Sequence, residues 1–153
     1  MKSFKALLLL ALFALPFAGL AQNTEMDMMR KLFSSEKRAL VESFLQLNGT
    51  DANAFWEQYE AYEVERKGLA DKRIALIERY AEEYAGLTND QAVELMNESF
   101  KLKEQRLSLR KKYFKKITKA VDGKTAAGFI QIEAYVATAI TFDLMDAIPF
   151  VGE

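Results

Sequence analysis

No proline interrupts the chain between Pro16 and Pro149. Proline fixes φ and lacks the amide proton that backbone ladders need, so a proline-free run of this length leaves long helices open to the chain. The residues filling it, chiefly Ala, Leu, Glu, Lys and Arg, form helix well and argue against many short strands. The expectation is an all-α fold in one domain. The sequence also lacks His and Cys entirely. That removes disulfides, thiol nucleophiles, thiolate zinc sites and the commonest general base and metal ligand. No phosphate loop, nucleophile elbow or dinucleotide fingerprint occurs. The chain reads as a binding or structural protein, not an enzyme, with no cofactor.

Residues 1–21 read as a secretory leader. Lys2 and Lys5 give a positive start, and an apolar run from Ala6 to Phe17 follows. That run is too short to span a bilayer comfortably. Gly19 and Ala21 supply the small residues before a cut, which places the mature start at Gln22 and the protein in the periplasm. Residues 22–34 are expected to be a flexible or short-helical segment. Met26, Met28 and Met29 lie there, and thioethers suit Cu(I); with no His or Cys beside them, they read as apolar filling instead. The main domain is expected over 35–148, with a tail at 149–153.

Four helices follow from the patterning. Leu40, Val41, Phe44, Leu45 and Leu47 recur at helical spacing after Ser34-Ser35. Asn48-Gly49 is expected to end that helix, and Thr50 to cap the next. Phe55, Tyr62, Leu69 and Leu76 then recur every seven residues, with Gly68 inside the pattern. The third helix starts at Thr88, with Gln91 three residues on. Its heptad row is Val93, Phe100, Leu107, Phe114 and Val121, with Met96 and Ile117 in a companion row, and together they are expected to be the packed seam. Leu95, Leu102 and Leu109 form another row about 160° away. Asp122-Gly123 breaks this helix, and a fourth, nearly uncharged except for Glu133, runs to Ala147. A carboxylate in mid-helix argues against a membrane span.

Short connections make successive helices antiparallel neighbours. The architecture is therefore expected to be an elongated antiparallel helical hairpin with shorter flanking helices. So thin a body has little interior, which favours a dimer. Charge is uneven: Asp51 to Ala85 is acidic overall and Asn89 to Val121 basic. The two segments complement each other across a seam, or the second leaves a basic stripe beside apolar residues, suited to acidic or unfolded polypeptide. Nucleic acid is a poor partner for an exported, mildly acidic chain.

Two helix starts look alike, Thr50-Asp51-Ala52-Asn53-Ala54-Phe55 and Thr88-Asn89-Asp90-Gln91-Ala92-Val93. Leu87-Thr88-Asn89-Asp90-Gln91 matches L-T-x-x-Q; in the first copy Gly49 and Asn53 stand in place of Leu and Gln. On that motif, in an exported all-helical chain, the sequence resembles the Spy/CpxP family of envelope-stress proteins. The resemblance implies a cradle-like antiparallel homodimer that binds unfolded or aggregation-prone envelope proteins without ATP, on a surface mixing apolar and basic groups. The alternative it implies is a regulator that binds one folded partner, a sensor-kinase domain or an anti-sigma/sigma-factor system. Metal sensing in that family leans on His ligands, which this chain lacks. Leu87, Thr88 and Gln91 are expected to be a structural cap. Leu95, Leu102, Lys103, Arg106, Leu109 and Arg110 are the candidate client contacts. The three leucines lie off the heptad row, and Lys103 and Arg110 interrupt the companion row, where a dry core would not tolerate them.

Overall fold

The computed structural model describes residues 35–152. The expected leader and Met26, Met28 and Met29 lie outside the described residues. Four helices make up the fold, and no strand occurs among the described residues. They are α1 (35–45), α2 (Gly49–Glu83), α3 (Asn89–Ala120) and α4 (Gly123–Ala147), with one 3₁₀ turn, Tyr84–Gly86, between α2 and α3. None of the described helices is long and apolar enough to cross a membrane.

Side-chain chemistry sets most of the boundaries. Thr88 Oγ1 accepts from the Gln91 amide while Gln91 Oε1 accepts from the Thr88 amide, a closed capping box opening α3. Asp122 opens α4 in the same spirit, accepting from the Thr125 amide at 2.8 Å. The first turn-over differs from expectation. Gln46, not Asn48-Gly49, takes the left-handed conformation that ends α1, at φ 47°. Its amide still reaches Glu42 O at 3.1 Å, closing the last turn. Thr50 is not a cap. Asn48 holds that position without a side-chain bond, and Gly49 opens α2 at φ 62°. The two sequence-similar helix starts thus end up with different caps, because the first lacks the glutamine that closes the box.

Cross-helix pairs fix directions. Glu65 of α2 meets Lys112 and Tyr113 of α3, while Arg79 of α2 meets Glu94 and Glu98, so sequence rises on α2 as it falls on α3. Tyr62 meets Glu133, Arg73 meets Thr141, and the Tyr80 and Tyr84 hydroxyls donate to the carbonyls of Pro149 and Phe150. Sequence therefore rises together on α2 and α4. α1 runs against α2, with Lys37 on Glu63 and Arg38 on Glu60.

The core sits at one end of this bundle. Val41, Phe55, Tyr59, Tyr62, Leu109, Tyr113, Ile117, Ala126, Phe129 and Ile132 are buried there. Phe129 is its hinge-pin: its ring lies 5.6, 5.9 and 5.2 Å from those of Phe55, Tyr59 and Tyr62, all in edge-on geometry. Such pairs add about 0.5–1.5 kcal/mol each beyond area burial. Trp56 packs against α1, with the Arg38 guanidinium 4.1 Å above its ring. Along α2 burial is complete only at Phe55, Tyr59 and Tyr62; Leu69, Leu76 and Ile77 further on are half-buried. At about 1.5 Å per residue, α2 extends roughly 50 Å, well beyond this core.

Two expectations on stability follow. Gly68 is exposed in mid-helix, and a Cβ there meets nothing within 4 Å. It allows no close approach, so Gly68→Ala should stabilise the protein by about 0.4–1 kcal/mol, read as a raised urea midpoint at unchanged m. The second concerns alkali. Burial, then Glu133, push the Tyr62 hydroxyl far above the usual tyrosine range; burial, then Glu63, do the same to Tyr59. Burial and the hydrogen bond to Glu65 push Tyr113 up to about 12. Each folded pKa exceeds the unfolded value of about 10. The unfolded chain therefore releases protons first, and the stability these phenols carry below pH ~10 falls away as pH rises above it. Tyrosinate absorbance of these three should appear together with unfolding rather than ahead of it.

Candidate functional site

α3 carries two apolar rows, and the structure reverses their expected roles. Leu95 and Leu109, expected to be outward client contacts, are only 7% exposed. Tyr113 and Ile117 extend their face inward against α2 and α4, and Leu102 between them is half-buried. Most of the row expected to be the seam points outward: Val93 is 62% exposed, Phe100 51%, Leu107 50% and Phe114 40%, with Met96 of the companion position at 48%, whereas Val121 is half-buried against the core and Ile117 is buried as expected. The physical reason is the pair of basic residues among them. Lys103 shares the outer face and Arg110 borders it, and an ammonium in a dry seam would cost more than two flanking phenylalanines recover. Only the row free of lysine could be buried.

The outer row is spaced three and four residues apart, from Val93 through Met96, Phe100, Lys103 and Leu107, and so forms one continuous helical face. Lys103 Nζ lies 5.6 Å from the centre of the Phe100 ring. Lys111 and Lys115 are exposed beside the same face, and Phe114 ends it. Of the six candidate contacts, then, Lys103 alone stands on the open surface. Arg106 and Arg110 are half-buried on the side of α3 that approaches α2. Leu87 is half-buried, and Thr88 and Gln91 are engaged in their cap.

The buried charges are elsewhere. Lys37 of α1 and Glu133 of α4 are 3% and 5% exposed. They form an ion pair, and Lys37 Nζ also lies 2.5 Å from Glu63 Oε1 of α2. The Tyr62 hydroxyl donates to Glu133 at 2.5 Å, and the Arg66 guanidinium reaches both Glu63 oxygens at 2.9 and 3.0 Å. The Lys37 ammonium is also 5.3 Å from the Tyr62 ring centre. The lone carboxylate of α4 was visible in the sequence; its partner was not, since no local pattern there singles out Lys37. This network ties three helices together, with Lys37 and Glu133 inside and Glu63 and Arg66 at its partly exposed edge. Its chemistry is structural: every polar group it holds faces another of opposite charge or matching hydrogen-bonding sense.

Among the described residues, no group of three or more carboxylates could hold a metal ion. A shallow depression lined by Glu42, Leu45, Gln46, Leu47, Asn48 and Trp56 marks the α1–α2 turn. No protein-family model, curated protein or solved structure matches the chain.

Proposed function

We propose that this is an exported, periplasmic chaperone-like protein of Spy/CpxP type that binds non-native envelope polypeptides without ATP. The surface is the outer face of α3. The observation carrying this reading is the continuous exposure of Val93, Met96, Phe100, Leu107 and Phe114, interleaved with Lys103 and flanked by Lys111 and Lys115. A contiguous apolar face rimmed by charge is an interaction surface rather than a neutral stretch of exterior. The mixture suits a partner lacking fixed shape. Apolar side chains of an extended segment gain by leaving water, and the ammonium groups attract its carboxylates without demanding one geometry. The L-T-x-x-Q resemblance supports the same class, although Thr88 and Gln91 serve as a cap and touch no client.

The arrangement proposed for the working form is an elongated antiparallel hairpin of α2 and α3, paired into a cradle-like homodimer. A second reading has its own support. Three-and-four spacing is what one partner helix requires, so the same face suits a regulator that docks on a single folded sensor-kinase or anti-sigma partner. Photo-crosslinking separates the two. A crosslinker at position 100 should capture several unrelated unfolded proteins, whereas one at Val64, equally apolar and exposed on α2, should not. Capture of one folded partner only would select the regulatory reading. Equal labelling from both positions would remove the α3 face from the account.

A further inference from the structure

A second cluster lies along the edge of α3 that approaches α2. Arg106 and Arg110, four residues apart, occupy one face of α3, and Arg66 and Arg73, seven apart, occupy one face of α2. Glu65 opposite Lys112 and Arg79 opposite Glu98 form rungs between the helices. Arg106 and Arg110 lie between those rungs, alongside Arg66 and Arg73. All four guanidiniums are half-buried. Arg66 is satisfied by Glu63. Arg73 has a single neutral partner, the Thr141 hydroxyl of α4 at 3.4 Å. Arg106 and Arg110 have no carboxylate partner among the described residues.

The charges do not balance. Around this slot the buried and half-buried cations are Lys37, Arg66, Arg73, Arg106 and Arg110. The carboxylates facing them are Glu63 and Glu133, already engaged by Lys37, Arg66 and Tyr62. Burial, then Arg106, hold the Arg73 guanidinium below the usual arginine range; burial, then Arg110, do so for Arg106. Arginine does not shed its proton at any ordinary pH, so the cost stays in the fold, first as lost hydration and then as repulsion between like charges. Three guanidinium forks without a carboxylate, on facing stretches of α2 and α3, suit an anion with several oxygens, which each fork can grip through two N–H groups.

We propose that Arg73, Arg106 and Arg110 form a binding site for a multivalent oxyanion of the phosphate class, seated between α2, α3 and α4. The site is separate from the outer face of α3 and does not depend on the polypeptide-binding reading. Arg106 and Arg110 therefore serve a small anion rather than an unfolded client.

The test is calorimetric titration of the purified protein with inorganic phosphate at constant ionic strength in chloride. Saturable binding of one phosphate per chain, competed by sulfate, is expected, together with a saturable rise in Tm. Arg73→Gln with Arg106→Gln should weaken it by roughly tenfold or more, and Arg106→Lys, which keeps charge but loses the fork, should fall between. Lys115→Gln, on the outer surface, should leave it unchanged. No saturable heat with the wild-type protein, or identical binding in the Arg73→Gln/Arg106→Gln variant, would overturn the proposal. The first outcome is read on the wild-type protein and holds whatever happens to the folding of the variant.

Discussion

Lys37→Ala is expected to destabilise the protein by about 3–5 kcal/mol, a large share of the roughly 5–15 kcal/mol that holds a domain of this size together. The lysine side chain is almost wholly buried, and its ammonium is the cation that Glu133 faces in the interior. Removing it leaves that carboxylate with the Tyr62 hydroxyl as its hydrogen-bond partner and only the more distant Arg66 and Arg106 as counter-charges, and a buried charge that loses its contact partner is costly. Glu63 loses less, because Arg66 remains. The loss should appear as a lower urea midpoint with little change in m. Glu133→Gln in the Lys37→Ala background should recover part of it, since an amide needs no counter-charge, and the cycle should give a coupling of about 0.5–3 kcal/mol. A loss below about 1 kcal/mol would mean that water reaches Glu133 and that α1 is not locked to α4 through this pair.

Phe100→Glu with Leu107→Glu is expected to leave the fold intact and remove most binding of unfolded polypeptide. Both side chains are half exposed on α3 and outside the buried core, so substitution should change helicity and urea midpoint little. Each is already half covered, so burying the rest contributes about 0.7–1.5 kcal/mol, and losing both contacts weakens binding roughly tenfold to a hundredfold. The introduced carboxylates also reduce the basic character set by Lys103, Lys111 and Lys115. Fluorescence anisotropy of a labelled, permanently unfolded protein reads the loss. The matching change on the inner row, Leu109→Glu, should instead unfold the chain, because that side chain lies in the core. If the outer-row variant binds as well as wild type, α3 is not the client surface.

The helices themselves were legible because their signals are local. The box formed by Thr88 and Gln91 and the break at Asp122-Gly123 are properties of a few consecutive residues; that Asp122 also caps α4 was not read from them. The orientation of α3 was not, because it depends on what α2 and α4 bring to it. Two apolar rows stood about 160° apart, and the more regular heptad row suggested the packed seam. Regularity was the weaker signal. Tyr113 and Ile117 continue the Leu95–Leu109 face, and Lys103 stands in the other, which together determine the direction. The anchoring of α1 was illegible for a different reason. Lys37 and Glu133 are 96 positions apart in the chain by their numbers, and neither is marked by its neighbours. The hydroxyls of Tyr80 and Tyr84 hold the segment after α4, a role set by where Pro149 and Phe150 come to lie.

The central claim is that this chain captures non-native polypeptide unaided, and light scattering tests it most directly. Two unrelated denatured proteins are diluted into buffer without ATP, with and without the purified protein, and an inert helical protein serves as control. Suppression of both aggregations at near-stoichiometric ratios is the predicted result. Failure to suppress either, with the protein folded and the control equally silent, would contradict it and leave the α3 face to a single folded partner.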